Sequence, residues 1–282
     1  MVLSACLSIQ IGAAAAAQLF DALGSTGAAA LRLLLAAAIM MVIVRPAMRS
    51  WDRLQWRSVV ALGLAMAGMN GFIYAAIQRI PLGTAVAIEF IGPLVLAAVL
   101  SRRGRDLVWV AVAFAGMGLL GLESATTAAT LDPLGVVFAL IAGLFWALYV
   151  LASAETGKRV RGLGGLSAAM LVAAIVMVPI GAPGAVRVVD SPGLLVFALL
   201  AALLSSALPY SMEIAALRRL PSHVFSVLMS LEPAIAAVVG WVLLGQSSGA
   251  MSLLAVALVV LASAGITLGQ GRPRADPEPS AA

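Results

Sequence analysis

The chain alternates between ten apolar runs, most of them long enough to span a membrane, and short connections that carry most of its basic residues. An α-helix needs about 20 apolar residues to cross the hydrocarbon core of a bilayer, and a helix also satisfies its own backbone polar groups there. At 63% hydrophobic and 10% charged residues, the composition lies far from that of soluble domains. The pattern therefore predicts an all-α polytopic membrane protein. The runs are approximately Val2 to Phe20, Gly27 to Val44, Ser58 to Ile77, Leu82 to Leu100, Leu107 to Leu122, Pro133 to Ala152, Leu163 to Gly181, Pro192 to Ala216, Ser222 to Leu244 and Ala250 to Gly269.

The basic residues test the number and direction of these spans, because Lys and Arg accumulate in short cytoplasmic loops. With the N-terminus in the cytoplasm, nearly all of them fall inside. Only Arg79 and Arg187 fall outside, and Arg32 lies within a helix. We therefore predict ten spans in a bacterial inner membrane with both termini cytoplasmic. The basic groups on the inside are Arg45, Arg49, Arg53 and Arg57, then Arg102, Arg103 and Arg105, then Lys158, Arg159 and Arg161, then Arg218 and Arg219, and finally Arg272 and Arg274.

The two halves of the chain share a pattern of prolines, glycines and arginines. Because each half holds five spans, an odd number, the second copy must have the opposite orientation, as in an inverted repeat. We expect a first repeat at residues 1–124, a linker at 125–132, a second repeat at 133–269 and a disordered cytoplasmic tail at 270–282. At a shift of 140 positions the matched pairs are Pro81 with Pro221, Pro93 with Pro233 and Arg79 with Arg219; at a shift of 138 they are Gly24 with Gly162 and Gly27 with Gly165.

Two acidic residues, Glu89 and Glu232, lie inside predicted spans, where an ionised carboxylate costs about 2.5 to 3.5 kcal/mol. We interpret them as proton-coupling or cation-binding groups that line a central cavity. The alternative is a structural role as partners of Arg32. In repeat register Glu232 falls on Gly92, so the two acids occupy neighbouring turns of one helix face rather than equivalent positions.

Each of these acids is followed by a proline, Pro93 or Pro233. A proline removes one intrahelical hydrogen bond, so both helices are expected to kink. Such a kink is a candidate hinge for alternating access, although proline also occurs in transmembrane helices for packing alone. The sequence does not distinguish the two roles.

Arg32 is the only basic residue well inside a span. Its planar guanidinium suits two hydrogen bonds to a substrate carboxylate, and an ion pair with Glu89 or Glu232 is the alternative. Other substrate-binding candidates share helix faces at spacings of three or four residues, or lie in neighbouring spans. For the aromatic residues of span six, packing or an interfacial belt is favoured. These candidates are Asn70, Tyr74, Tyr210 and Glu213, with Gln10, Trp146 and Tyr149 as further contributors.

The sequence does not resemble that of an enzyme. It contains no GxSxG, HExxH or phosphate-binding glycine loop. A single cysteine, Cys6, and a single histidine, His223, leave no Cys/His cluster for a structural zinc ion. We expect no metal and no cofactor. The net charge is +5, but the basic residues come in short groups between the apolar runs, as the topology of a membrane protein requires. The charge therefore does not indicate a nucleic-acid partner.

Several segments resemble a known family. They are SIQIGAAAAAQLF and GAAALRL, GMNGFIYAAIQRIPLGTAVAIEFIGPLVLAAVLSRR, FWALYVLA, and SALPYSMEIAALRRLPSHVFSVLMSLEPAIAAVVGWVLLGQ. The chain resembles the drug/metabolite transporter superfamily of the EamA type and, within it, the bacterial threonine/homoserine exporter family. The resemblance covers nearly the whole chain.

This resemblance implies ten helices in two inverted five-helix halves, and efflux of small amino acids driven by the proton gradient. Its partners would be an amino-acid or metabolite substrate, protons and the lipid bilayer. A broad drug or toxic-metabolite exporter of the same superfamily is the first alternative, and a non-transporting membrane scaffold or receptor is the second. The site candidates within the resembling segments include Arg32, Asn70, Tyr74, Glu89, Tyr210, Glu213 and Glu232.

Overall fold

The computed structural model describes residues 2–101, 104–126, 131–190, 192–209, 212, 228–246 and 249–270, and all regular structure in these residues is helical. The α-helices are α1 (Val2–Ala17), α2 (Phe20–Val44), α3 (Arg53–Ile77), α4 (Leu82–Glu89), α5 (Ile91–Ser101), α6 (Gly104–Thr126), α7 (Pro133–Arg159), α8 (Gly164–Ala185), α9 (Pro192–Ala202), α10 (Glu232–Leu244) and α11 (Ala250–Gln270). Two short 3₁₀ helices, Met48–Ser50 and Val186–Asp190, and one π-helical turn, Leu203–Ala207, complete the described elements.

Helix lengths in the described part of the chain agree with the apolar runs. Six helical stretches are long and apolar enough to cross a membrane, and four further helices are apolar but shorter. The prediction of an all-helical, multi-pass membrane protein is therefore confirmed. The six are Phe20–Val44, Arg53–Ile77, Leu82–Leu100, Pro133–Arg159, Gly164–Val189 and Ala250–Leu268; the four are Val2–Ala17, Leu107–Leu119, Gly193–Ser206 and Glu232–Leu244.

Polar residues between the runs define where the helices begin. Asp52 forms a capping box at the start of α3: its carboxylate accepts hydrogen bonds from the backbone N–H groups of Leu54 and Gln55, and the Gln55 side chain accepts one from the N–H of Asp52. Asp132 caps α7 in a similar way, with Pro133 as its first residue. Both helices consequently start at a polar residue just outside the apolar run.

Small residues allow α2 to pack closely along α8. A Cβ atom added to Gly181 would lie 2.5 Å from the Cβ atom of Ala30, and one added to Gly27 would lie 3.0 Å from the backbone nitrogen of Ala185. Without water to drive apolar side chains together, such close backbone approach is a main source of helix association in a membrane. Helix α3 packs against both α7 and α8, so α2, α3, α7 and α8 form a continuous packed group.

The predicted span from Leu82 to Leu100 is not one continuous helix, because it breaks at Phe90 into α4 and α5. Pro93 lacks the N–H group that would otherwise bond to the carbonyl of Glu89. Helix α7 crosses at the same place: a Cβ atom added to Gly143 would lie 2.6 Å from the carbonyl oxygen of Glu89, and one added to Gly92 would overlap the Gly143 carbonyl. The break and the two glycines let α7 approach the segment that carries Glu89.

Helix α10 packs against the other end of α4. A Cβ atom added to Gly83 would lie 2.5 Å from the Cα atom of Ala237. Beyond α10 the chain turns at Gly245, which has φ 63°. This turn places the side-chain oxygen of Gln246 2.9 Å from the backbone nitrogen of Leu82, which donates a hydrogen bond to it. The start of α4 is therefore capped by a residue that follows α10.

We expect Gly92→Ala to destabilise the protein by about 1 to 3 kcal/mol, because the added methyl group meets backbone atoms of α7 that have little freedom to move. Thermal unfolding of the purified protein in detergent, followed by circular dichroism, measures the loss. Gly118→Ala is the matched control, since a Cβ atom at Gly118 of α6 has no neighbour within 4 Å. Equal unfolding temperatures for the two variants would contradict the proposed close crossing of α5 and α7.

Candidate functional site

A cavity of about 210 Å³ lies between the helices near the middle of the molecule. Residues of α1, α2, α3, α4, α7, α8, the π-helical turn and α10 line it, so it is formed by both halves of the chain. Most of its wall is apolar, as expected for a small-molecule site with a few orienting polar groups. The polar and charged residues in the wall are Gln10, Arg32, Asn70, Tyr74, Glu89, Ser205, Ser206 and Glu232.

Arg32 is buried in this wall, with 5% of its surface exposed. Its Nη1 atom donates a hydrogen bond to Ser205 Oγ at 2.6 Å, and its Nη2 atom donates one to Asn70 Oδ1. Asn70 is itself oriented by a hydrogen bond from its Nδ2 atom to the carbonyl of Met66, 2.8 Å away. The guanidinium also lies over the ring of Tyr74, 5.1 Å from its centroid, in a cation–π contact. Uncharged groups therefore hold the cation in place.

The alternative expectation for Arg32 was an ion pair with Glu89 or Glu232, and no such pair is present among the described residues. The structure describes all three residues, and neither carboxylate lies within 4.0 Å of the guanidinium. The Nε atom of Arg32 is buried and has no hydrogen-bond partner in the described part of the chain. A guanidinium carries five N–H groups, so Nη1 and Nη2 each keep one further N–H for a ligand that enters the cavity.

The face predicted from the spacing of Asn70 and Tyr74 lines the cavity, and both residues contact Arg32. The Tyr74 ring packs against Phe20 at 5.7 Å between centroids. Its hydroxyl group is buried and has no hydrogen-bond partner among the described residues. A buried hydroxyl without a partner costs free energy, so a polar group that enters the cavity would relieve this cost.

Glu89 and Glu232 line the same cavity and are both more than nine-tenths buried. Glu89 is the last residue of α4, whereas Glu232 is the first residue of α10. The Nε2 atom of Gln10 on α1 donates a hydrogen bond to Glu232 Oε1 at 3.0 Å. The carboxylates thus lie at opposite ends of their helices, and the positive end of the α10 dipole faces Glu232.

The two aromatic candidates of α7, Trp146 and Tyr149, line the cavity and are partly buried. Trp146 packs edge-to-face on Phe90, at 4.7 Å between ring centroids, next to the break between α4 and α5. Outside this site, Trp241 on α10 has 67% of its surface exposed, as expected for a lipid-facing residue.

The two proline candidates lie beside helix boundaries. Pro93 is in the first turn of α5, after the break at Phe90, and Pro233 is the second residue of α10. Turn residues Ser230 and Leu231 precede α10. Two further candidates, Tyr210 and Glu213, lie outside the described residues.

Ser205 and Ser206 line the cavity but were not among the candidates. Both belong to the π-helical turn Leu203–Ala207, whose wider winding inserts an extra residue into the helix. Ser205 accepts the hydrogen bond from Arg32 and donates one to the carbonyl of Ala201 at 2.5 Å. The available signal was two adjacent serines in an otherwise apolar run, and serine in such a helix commonly hydrogen-bonds the backbone four residues earlier.

Comparisons with known proteins agree with this architecture. Residues 133–268 match the EamA-like transporter family. The chain is 40% identical over 268 residues to the threonine/homoserine exporter RhtA of Escherichia coli (strain K12) and to that of Salmonella typhimurium (strain LT2), with 95% of this chain and 90% of each relative covered. It is 26% identical over 242 residues to the uncharacterized transporter YwfM of Bacillus subtilis (strain 168), with 82% of this chain and 80% of the relative covered.

A solved crystal structure with 13% sequence identity shares the fold. Its TM-score is 0.53, and the match covers 95% of this chain and 97% of the other. A helical bundle of membrane-spanning length with a buried polar cavity is the architecture of a polytopic membrane transporter. The chain belongs to the EamA-like transporter family. Its relatives are transporters and not enzymes, as the absence of catalytic motifs indicated.

We expect Ser205→Ala to destabilise the protein by about 1.5 to 3 kcal/mol, because it removes a hydrogen-bond acceptor from a buried charged donor. Ser8→Ala is the matched control, since the Ser8 hydroxyl bonds the neutral carbonyl of Leu204 in the same turn and is worth about 1 kcal/mol. Thermal unfolding in detergent compares the two variants. A larger loss for Ser8→Ala would show that Arg32 does not depend on Ser205.

Proposed function

We propose that this protein exports small amino acids such as threonine and homoserine across the bacterial inner membrane. The observation that carries the proposal is the buried guanidinium of Arg32, which uncharged groups orient and no described carboxylate neutralises. A guanidinium with free donors suits the two oxygens of a carboxylate, the group that all amino acids share. The relatives named threonine/homoserine exporter support the same substrate class.

The other charged groups of the cavity complement the rest of an amino acid. Glu89 and Glu232 provide negative charge for an ammonium group, while the Tyr74 hydroxyl and Ser206 offer hydrogen bonds to a polar side chain. Pockets for drug-sized ligands are usually about 300 to 1,000 Å³, and this cavity of about 210 Å³ is smaller. Its size favours a small metabolite over a bulky drug. Trp146 and Tyr149 would form an aromatic wall of the site, and Tyr210 and Glu213 remain proposed members.

The proposed fold is a ten-span bundle of two inverted repeats, residues 1–124 and 133–269, joined by the linker 125–132 and followed by the tail 270–282. Helix packing supports it, because exchanging each helix for its counterpart in the other half preserves the most extensive contacts. Helix α2 packs on its counterpart α8, α4 on α10, and α6 on α11; α3 packs on α7 just as α9 packs on α1. The matched glycines Gly24 and Gly162 also both have a positive φ, 69° and 67°.

The proposed orientation has both termini in the cytoplasm, and the distribution of arginines supports it. Alternating access would then move one half against the other around the central cavity. Pro93 and Pro233 are the proposed hinges. The break at Phe90 and the turn before α10 support this role, because bending at an interrupted helix breaks few additional hydrogen bonds.

We further propose that protons drive export through Glu89, with Glu232 as a second carboxylate of the same site. Both are buried in the cavity, as expected for groups whose charge state changes with transport. Their surroundings differ: Gln10 and the start of α10 stabilise a charge on Glu232, whereas Glu89 lies at the C-terminal end of α4. This difference supports Glu89 as the residue that exchanges the proton.

Transport in proteoliposomes tests the substrate. We expect counterflow of labelled threonine and homoserine by the wild-type protein, and an increase in KM of about tenfold or more for Arg32→Lys, which keeps the charge but loses the planar guanidinium. Arg187→Lys is the control, because Arg187 is exposed and bonds only the carbonyl of Ala22 among the described residues. Exchange of drugs without exchange of amino acids would favour a broad exporter, and no exchange of any compound would favour a scaffold or receptor.

The pH dependence of transport tests the coupling. We expect Glu89→Gln to abolish acceleration by a pH gradient while leaving substrate counterflow measurable, since glutamine keeps the shape of the side chain but binds no proton. Glu232→Gln is the matched variant in the same cavity and should retain a pH response. If Glu89→Gln transports with unchanged pH dependence, coupling belongs to Glu232 or Glu213, or transport is not proton-coupled.

A further inference from the structure

A second cavity, of about 550 Å³, lies at one end of the bundle, away from the central site. It is formed by the connection between α2 and α3 and by the connection between α7 and α8. These connections belong to different halves of the chain. We call this cavity the basic groove, because Arg45, Arg159 and Arg161 line it together with Ser50, Trp51 and Gln55.

Specific contacts hold the two sides of the basic groove together. The side-chain Nε2 atom of Gln55, on α3, donates a hydrogen bond to the backbone carbonyl of Arg159 at 2.9 Å. A Cβ atom added to Gly164, at the start of α8, would lie 3.5 Å from both Pro46 and Trp51. Arg45 ends α2 with φ 47°, the only left-handed non-glycine residue among those described. The groove is therefore a defined feature of the fold.

The charge around the groove is strongly positive. Residues 45–57 and 155–161 contain seven basic side chains and two acidic ones. Both acids are already engaged: Glu155 pairs with Arg159 and Lys158, and Asp52 caps α3. Neither Arg45 nor Arg161 has an ion-pair partner in the described part of the chain. Their charges are available to an anion, and a phosphate group accepts hydrogen bonds from several guanidinium groups at once.

The surroundings of the basic groove indicate which kind of anion it would bind. The groove adjoins the last turn of α2, where Val42 and Ile43 have 68% and 67% of their surfaces exposed. Next to it, Trp51 and Trp56 form an edge-to-face pair with centroids 5.4 Å apart, and tryptophan is enriched at the boundary between lipid and water. A basic groove beside an apolar, lipid-facing surface has the character of a lipid headgroup site rather than of a site for a free ion.

We propose that the basic groove binds the phosphate of an anionic phospholipid headgroup, through Arg45 and Arg161, with the acyl chains lying along Val42 and Ile43. One lipid would contact the α2–α3 connection and the α7–α8 connection at the same time. It would thus link the two halves of the protein at the end of the bundle where their basic loops meet.

Lipid binding to the full-length protein tests this proposal. The protein is placed in nanodiscs of phosphatidylcholine or of phosphatidylcholine mixed with phosphatidylglycerol, and the retained lipids are counted by native mass spectrometry. We expect wild type to retain phosphatidylglycerol selectively. The double variant Arg45→Asn and Arg161→Gln should lower its affinity about tenfold or more, since each basic residue near an anionic membrane surface contributes severalfold. Asparagine is chosen at position 45 because it tolerates the left-handed conformation.

The matched control is the double variant Arg53→Gln and Arg57→Gln. It removes the same charge from the start of α3, but neither residue lines the groove. Retention of phosphatidylglycerol by this control supports a defined site, whereas equal loss in both double variants would overturn it in favour of diffuse attraction. Equal retention of both lipids by wild type would also overturn it.

Thermal unfolding in detergent provides a second measurement that also reports whether the variants fold. Added phosphatidylglycerol should raise the unfolding temperature of wild type and of the control, but not of the groove variant. Inorganic phosphate added alone should have no such effect. If phosphate raises the unfolding temperature as much as the lipid does, the groove binds a free phosphate and the lipid assignment is wrong.

Discussion

The central constraint on this structure is a positive charge buried among helices without a countercharge in the described part of the chain. Moving an arginine into a bilayer costs several kcal/mol unless polar groups surround it. Here that solvation comes from three side chains on two elements: Asn70 and the ring of Tyr74 on α3, and Ser205 in the π-helical turn. Arg32 is buried, and its charge lies in the wall of the cavity. The helix packing that forms the bundle therefore also positions the groups that surround Arg32.

Much of this arrangement could be predicted from the sequence, and the rest depends on contacts between distant segments. Runs of apolar residues and the positions of arginines predicted the helices, because length and hydrophobicity are local properties. Glu89, Glu232 and Arg32 were recognisable as candidates because a charge inside an apolar run is rare. An irregularity near Pro93 was predicted, but the position of the break at Phe90 and the π-helical turn at Ser205 were not. The first accompanies the approach of Gly143 to Gly92, and the second accompanies a close contact with Gly12 of α1, whose added Cβ atom would lie 2.7 Å from the Ser205 nitrogen.

In the proposed repeat register, matched positions of the two halves carry different chemistry in the cavity. Arg32 and Met170, which match at a shift of 138 positions, both line the cavity, as do Glu89 and Met229, which match at a shift of 140. Methionine occupies a comparable volume without charge, so each pair keeps the packing while charge is confined to one member. A zwitterion has two different ends, and a symmetric wall could not distinguish them. Because each matched pair combines a charged residue with a methionine, the site suits a ligand whose two ends differ in charge.

The hydrogen bond from Leu82 to Gln246 has a consequence for how the bundle moves. It satisfies a backbone amide at the start of α4 with a side chain that follows α10, so the start of α4 is capped only while α10 is in place. Moving the two apart would leave the part-buried Leu82 amide without a partner until water reaches it. Separation of α10 from α4 would therefore require water to enter at this end of α4.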